Sequence, residues 1–192
     1  MKFKSLFIAA SFGMILFSCG SESSTESETS TSTTEDEVEE VIPEEDPWIE
    51  CYFKRGGYST FFPGDFESKI DTTDQFHIHI SAFQNETRFY RVTAYVPINP
   101  IVVDDKMGFI QAMKESMNNN YAITEEQETA FGTYGGLLIY ADRDGWSFSR
   151  FMLVENDLIY ILDIAAEGEL RPSNLEIEEF YGYFQHYPID PT

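Results

Sequence analysis

The chain changes character at Trp48. From Ser21 to Pro47 it alternates Ser and Thr with Glu and Asp, carries no aromatic residue, and has only Val38, Val41 and Ile42 to bury. Such a stretch cannot offset the entropy of ordering its backbone, so residues 19–47 are expected to form a disordered, self-repelling tether with an r.m.s. span of roughly 30 Å. From Trp48 onward the sequence is aromatic-rich and alternating. That run of about 145 residues has the length of one ordinary domain, able to bury roughly two-thirds of its unfolded surface, so residues 48–192 are expected to form a single globular domain.

Within it, Tyr58-Ser59-Thr60-Phe61-Phe62 reads as a strand closed by Pro63-Gly64. Phe76 to Ala82 and Arg88 to Val96 alternate with period two, the second stopped by Pro97, and Gln84-Asn85-Glu86 joins them as a hairpin. After Pro100 the spacing turns helical. Asp104 or Asp105 caps a run in which Met107, Ile110, Met113 and Met117 recur every three or four residues, and Asn118-Asn119-Asn120 ends it. That spacing marks core packing rather than a methionine-lined partner groove.

Four more strand signals follow, around Tyr121 to Phe131 and over Leu137 to Ala141, Trp146 to Val154 and Leu158 to Ala166, with Asp144-Gly145 and Asn156-Asp157 as tight hairpin turns. Ser173 and Glu176 stand in capping-box register before a helix whose apolar face is Leu175, Ile177, Phe180, Tyr181 and Phe184. Strands joined by short turns are antiparallel neighbours, and the helices must cover sheet surface. The expected class is α+β, a largely antiparallel twisted sheet of about six or seven strands flanked by two main helices.

The formal net charge of −22 is unevenly spread. The N-terminal 18 residues carry only Lys2 and Lys4, residues 21–47 carry eleven acids and no base, and the rest carries 10 Lys and Arg against 23 Asp and Glu. A negative potential of this size repels phosphate backbones and anionic headgroups, which argues against nucleic acid and against electrostatic membrane binding.

Residues 1–18 have the layout of an export signal. Lys2 and Lys4 form the positive n-region, and Leu6 to Phe17 form an apolar run of roughly a dozen residues, too short to span a bilayer. Leu16-Phe17-Ser18-Cys19 closes it, and this box resembles the signal of bacterial lipoproteins. The resemblance implies cleavage before Cys19, whose thiol takes a diacylglycerol, with palmitate among the anchor's acyl groups. The anchor's three acyl chains exceed the roughly two signals that stable attachment needs. Gly20, rather than Asp, follows the cysteine, which favours the outer membrane; periplasmic or surface-facing display is open. Cys51 then has no partner for an internal disulfide and is either a buried structural cysteine or an exposed thiol.

The order of elements and several phrases also resemble the PsbP-like superfamily of small exported α/β/α domains, which includes photosystem II extrinsic proteins and DcrB-type lipoproteins. Gly57-Tyr58-Ser59-Thr60-Phe61-Phe62-Pro63-Gly64 is similar to its opening strand, and Phe131-Gly132-Thr133-Tyr134-Gly135-Gly136 to its approach to the central strands. Met152 to Tyr160 resembles its final hairpin, and Ser173 to Phe184 its closing helix. The resemblance implies a PsbP-like α/β/α sandwich and a role in binding or assembly, and it brings no catalytic residue.

For chemistry, His77 and His79 lie two apart on a strand and so project from one face, the best metal hint in the chain. A third ligand is needed, from His186 or a carboxylate. Two polar rings on the less apolar face of a sheet is the simpler account. Asp142-Arg143-Asp144-Gly145 lacks the later ligands of a calcium loop and reads as a turn. No nucleophile elbow, zincin helix, phosphate loop or dinucleotide fingerprint occurs. The aromatic load, Tyr52, Phe53, Tyr58, Phe61, Phe62, Phe89, Tyr90, Tyr95, Trp146, Phe148, Tyr160, Tyr181, Tyr183 and Tyr187, exceeds one small core and allows a binding face; a well-filled core with ordinary sheet propensity is the alternative account. The expectation is a lipid-anchored cell-envelope binding or assembly module without catalytic activity or cofactor, attached to the membrane by its N-terminal lipid and engaging an envelope protein. The alternative is a periplasmic small-ligand or metal carrier using His77 and His79.

Overall fold

The computed structural model describes residues 48–99, 101–117, 121–168 and 171–189. The signal, Cys19, the tether and the expected helix stop at Asn118-Asn119-Asn120 lie outside them. The described elements run β1 (Ile49–Phe53), a 3-10 turn (Lys54–Gly56), β2 (Tyr58–Phe62), β3 (Glu67–Thr72), β4 (Phe76–Gln84), β5 (Arg88–Pro97), α1 (Lys106–Met117), β6 (Ala122–Phe131), β7 (Tyr134–Arg143), β8 (Trp146–Glu155), β9 (Leu158–Glu167), α2 (Asn174–Gly182) and β10 (Gln185–His186). The class is α+β, as expected from sequence, but the strands divide between two sheets. A seven-stranded antiparallel sheet has the order β3-β4-β5-β9-β8-β7-β6, and a three-stranded one the order β1-β2-β10.

Local chemistry sets the turns. Asp144, Asn156 and Asp157 hold φ of 51°, 46° and 61°, and Gly145 82°. A type I′ hairpin needs positive φ at both central positions, where Asn, Asp and Gly are least penalised. These turns close β7 on β8 and β8 on β9. The chain leaves β5 in mid-sheet, crosses through α1 to the far edge at β6, and meanders back until β9 pairs with β5. Asp105 starts α1, its Oδ1 accepting from the Gly108 amide at 2.9 Å.

β9 is the central strand, buried from Leu158 to Ala166, and its two side-chain sets build two cores. Leu158, Tyr160, Leu162 and Ile164 face β1, β2 and α2, where Tyr58, Phe62, Ile177, Phe180 and Tyr181 meet them. Ile159 and Ile161 face α1, with Ile110, Leu137, Ile139, Met152 and Val154. The helices therefore cover opposite faces, and the small sheet shares one face with α2. The Ser173 capping box forms, with Glu176 N donating to Ser173 Oγ at 3.2 Å and Ser173 N to Glu176 Oε2 at 2.8 Å.

Two expectations are corrected. Five strands precede α1 where the sequence marks three, and β2 is the middle of a separate small sheet with β1 and β10 on its two edges. β3 intervenes between β2 and β4; as an exposed edge strand it lacks the apolar alternation that marks the others. Leu175, assigned to the buried face of α2, is 73% exposed; it sits in the first turn, before Ile177, Phe180 and Tyr181 turn toward the sheet.

Candidate functional site

β4 places His77 and His79 on one face, and their surroundings differ. His77 is exposed, within 3.3 Å of Thr72 Oγ1 through Nδ1. His79 is buried beneath Phe53 of β1, ring centroids 5.2 Å apart, and its Nδ1 has no hydrogen-bond partner among the described residues. The opposite face of β4 is the apolar one, with Phe76 buried and Ile78, Ile80 and Ala82 half-buried, while β1 covers the histidine face at His79 and Ser81. His186 is engaged elsewhere. The Asn156 amide donates to its Nε2 at 2.7 Å, which leaves the proton on Nδ1 to be given to Tyr160 Oη at 2.9 Å. Among the described residues no group of three or more His, Cys, Asp or Glu is arranged to hold a metal ion.

Beside His79 lies a knot of hydroxyls between the two sheets. Tyr58 Oη donates to Ser81 Oγ at 2.7 Å, Ser68 Oγ is 2.8 Å from the same atom, and the Cys51 thiol reaches it at 3.5 Å. Cys51 is thus a buried structural cysteine, its thiol pushed up by burial against the opposing pull of Ser81 and Ser68. A thiol held protonated and covered is inert as a nucleophile.

Burial, with His77 and Arg55 adding to it, pulls the His79 imidazole down to about 4. Folding therefore favours the neutral ring, while the unfolded chain takes up a proton as pH falls below about 6.5, so stability should be full above that value and be lost toward pH 4. Discounted for solvent screening, the loss is about 2 kcal/mol. Between pH 7.5 and pH 4.5, urea unfolding should show a loss about 2 kcal/mol smaller in His79→Leu than in the native sequence, His186 contributing to both; parallel pH dependences would refute it.

The second polar centre was not anticipated. A lone acid, Asp163, interrupts the buried apolar run of β9, and it is flanked in register by Arg91 of β5 and Arg150 of β8. Asp163 is fully buried, and Arg91 Nε donates to its Oδ2 at 2.9 Å and Arg150 Nη2 at 3.2 Å. Burial alone would push this carboxyl up, but Arg150 and Arg91 outweigh it and hold it below the ordinary carboxylate range. Tyr121 extends the cluster: Arg150 and Arg143 lie over its ring at 4.8 and 5.1 Å from the centroid. Guanidiniums stay charged at neutral pH, and with both held on one buried carboxylate this centre ties β5, β9 and β8 together. The signal available in the sequence was a charge in mid-run on each of two adjacent apolar strands.

Among the described residues the most exposed aromatic side chain, Tyr52, lies on the outer face of the small sheet. Cys51, Tyr58, Thr60 and Phe62 point inward, and alternation sends Glu50, Tyr52 and Phe61 outward. Tyr52 is 60% exposed and meets Tyr187 edge-on at 5.6 Å. Tyr187 Oη accepts from Ser59 Oγ at 3.2 Å and donates to Gln185 Oε1 at 2.8 Å, while Phe61 and Trp48 both contact the Tyr183 ring. Large, rigid rings fixed by polar neighbours offer contact area at small entropic cost. No protein-family model matches this chain, and a search of curated proteins finds no relative of it.

Proposed function

We propose that this protein is a lipid-anchored cell-envelope binding or assembly module of PsbP-like fold, held by Cys19 on an acidic tether and engaging an envelope protein through the outer face of β1, β2 and β10. The observation that carries the reading is the aromatic set on the first sheet that the chain enters after the tether, exposed Tyr52 and half-buried Phe61, joined by half-buried Tyr183 from the end of α2 and Tyr187 from beyond β10. Aromatic anchors rimmed by Glu50, Gln185 and Glu179 have the make-up of a protein-binding patch, apolar at the centre and polar around it. The acidic tether and domain favour a partner with basic groups at its rim. The signal and its cysteine support the envelope location, and the order of strands and helices supports the PsbP-like likeness.

The test is a photo-crosslinking side chain at position 52 of the full-length chain, in cells. One envelope protein captured from position 52, and not from the exposed Thr133 on the β6–β7 turn, is the expected result. The same background captured from both positions would remove the assignment of this face.

A further inference from the structure

The two outermost strands of the large sheet carry opposite kinds of charge pattern. β6 presents Glu125, Glu126 and Glu128 with no base, a sequence that repels a copy of itself. β3 reads Glu67-Ser68-Lys69-Ile70-Asp71-Thr72, is exposed at all six positions, and pairs among the described residues only with β4. Its outer edge therefore offers backbone donors and acceptors to another strand.

We propose that β3 is a self-association edge, on which β3 of a second copy of this chain adds antiparallel about a two-fold axis through Ile70, continuing the seven-stranded sheet into the partner. A two-fold axis normal to the sheet allows only registers centred on a residue, because opposed side chains must share a face. Centred on Lys69, the register opposes Lys69 to its own copy and Glu67 to Asp71. Centred on Asp71, it opposes two carboxylates. Centred on Ser68, it matches Glu67 with Lys69 but overlaps only three residues of the strand. Centred on Ile70, it overlaps five, Ser68 to Thr72, and sets Lys69 of each copy opposite Asp71 of the other.

The side chains suit that register. Lys69 Nζ already lies 3.3 Å from Asp71 of its own strand, with both side chains more than half exposed, so pairing would close a square of alternating charges on one face. On the other face Ile70, a large apolar residue 44% exposed at an edge where polar residues are the rule, would meet its own copy. One strand pair covers less than the roughly 1,600 Å² of a standard interface, so the association is weak in dilute solution and gains from confinement of both copies on one surface. The pairing itself does not depend on how the chain is anchored.

Ile70→Cys in the full-length chain places two thiols at directly opposed positions, within reach of a disulfide. Membranes and extracts carrying it are oxidised with copper–phenanthroline, so the readout does not rely on the compartment; the native sequence controls for Cys19 and Cys51, and Gln127→Cys samples the β6 edge. The expected result is about tenfold more covalent dimer from position 70 than from position 127. Adding Lys69→Asp, which turns both cross-strand attractions into repulsions, should remove most of it, and adding Asp71→Lys as well should restore it. All four sites are exposed, so retained near-UV circular dichroism is expected throughout. Equal yields from positions 70 and 127, or a charge swap that fails to restore the dimer, would overturn the proposal.

Discussion

Asp163→Ala should cost about 3–5 kcal/mol, a large fraction of the 5–15 kcal/mol that holds an ordinary domain together. The carboxylate is fully buried and takes hydrogen bonds from two arginines on neighbouring strands. Removing it leaves the Arg91 and Arg150 guanidiniums against a covered sheet face without the charge that offset their desolvation. Asp163→Asn keeps the shape and should cost less. Replacing all three residues by apolar ones of similar volume should come close to neutral, since the penalty lies in the broken set. Urea unfolding at pH 7 measures the series, and a loss below about 1 kcal/mol for Asp163→Ala would show that the cluster does not hold the sheet. The pH dependence has a definite sign. A carboxyl held below its ordinary value stabilises the fold above the unfolded pKa of about 3.8 and ceases to do so as pH falls through the lower folded value. Acid should therefore weaken the domain in stages, first through the histidines His79 and His186 and then, at lower pH, through the carboxyls of Glu176 and Asp163.

Phe180→Ala should cost a similar amount, about 3–5 kcal/mol, by a different route. Its ring is fully buried and meets Tyr90 at 5.1 Å, Tyr181 at 5.8 Å and Phe62 at 5.9 Å between centroids, so it joins α2 to both sheets. A nine-residue helix is marginal by itself and owes its order to this packing and to the Ser173 cap. Truncation leaves a cavity that rings on three separate elements cannot collapse to fill. Leu175→Ala on the same helix should change stability by less than about 0.5 kcal/mol, because that side chain lies in solvent. A pair of thermal unfolding curves compares them; equal shifts would mean that α2 is held by something other than its apolar face.

What the sequence discloses follows the range of the interaction responsible. The Asp144-Gly145 and Asn156-Asp157 turns and the Ser173–Glu176 cap are legible because neighbouring residues fulfil them. β4, β5 and β9 are legible because burial on one or both faces leaves its period in the residues. β3 is not, since an edge strand open to solvent keeps no such period. The place of β2 is hidden for another reason: one of its two neighbours, β10, lies more than a hundred residues along the chain. Alternation shows that His79 shares a face with His77, but not that β1, which no turn joins to β4, covers that face. The Arg91–Asp163–Arg150 set needed the order of strands before its three members could be seen as neighbours.

The placement of β1 has a mechanical consequence. It is the first described element, a five-residue edge strand laid on β2, and it carries Cys51 on its inner side. Tension arriving from the N-terminal segment meets this strand before any other part of the domain, and an edge strand peels away with its few hydrogen bonds opened one after another while the nine buried positions of β9 stay in register. Peeling would uncover a thiol that is otherwise shut away between the sheets. Cys51 therefore reports the seating of β1, shut away while the strand is in place and open to thiol reagents once it lifts.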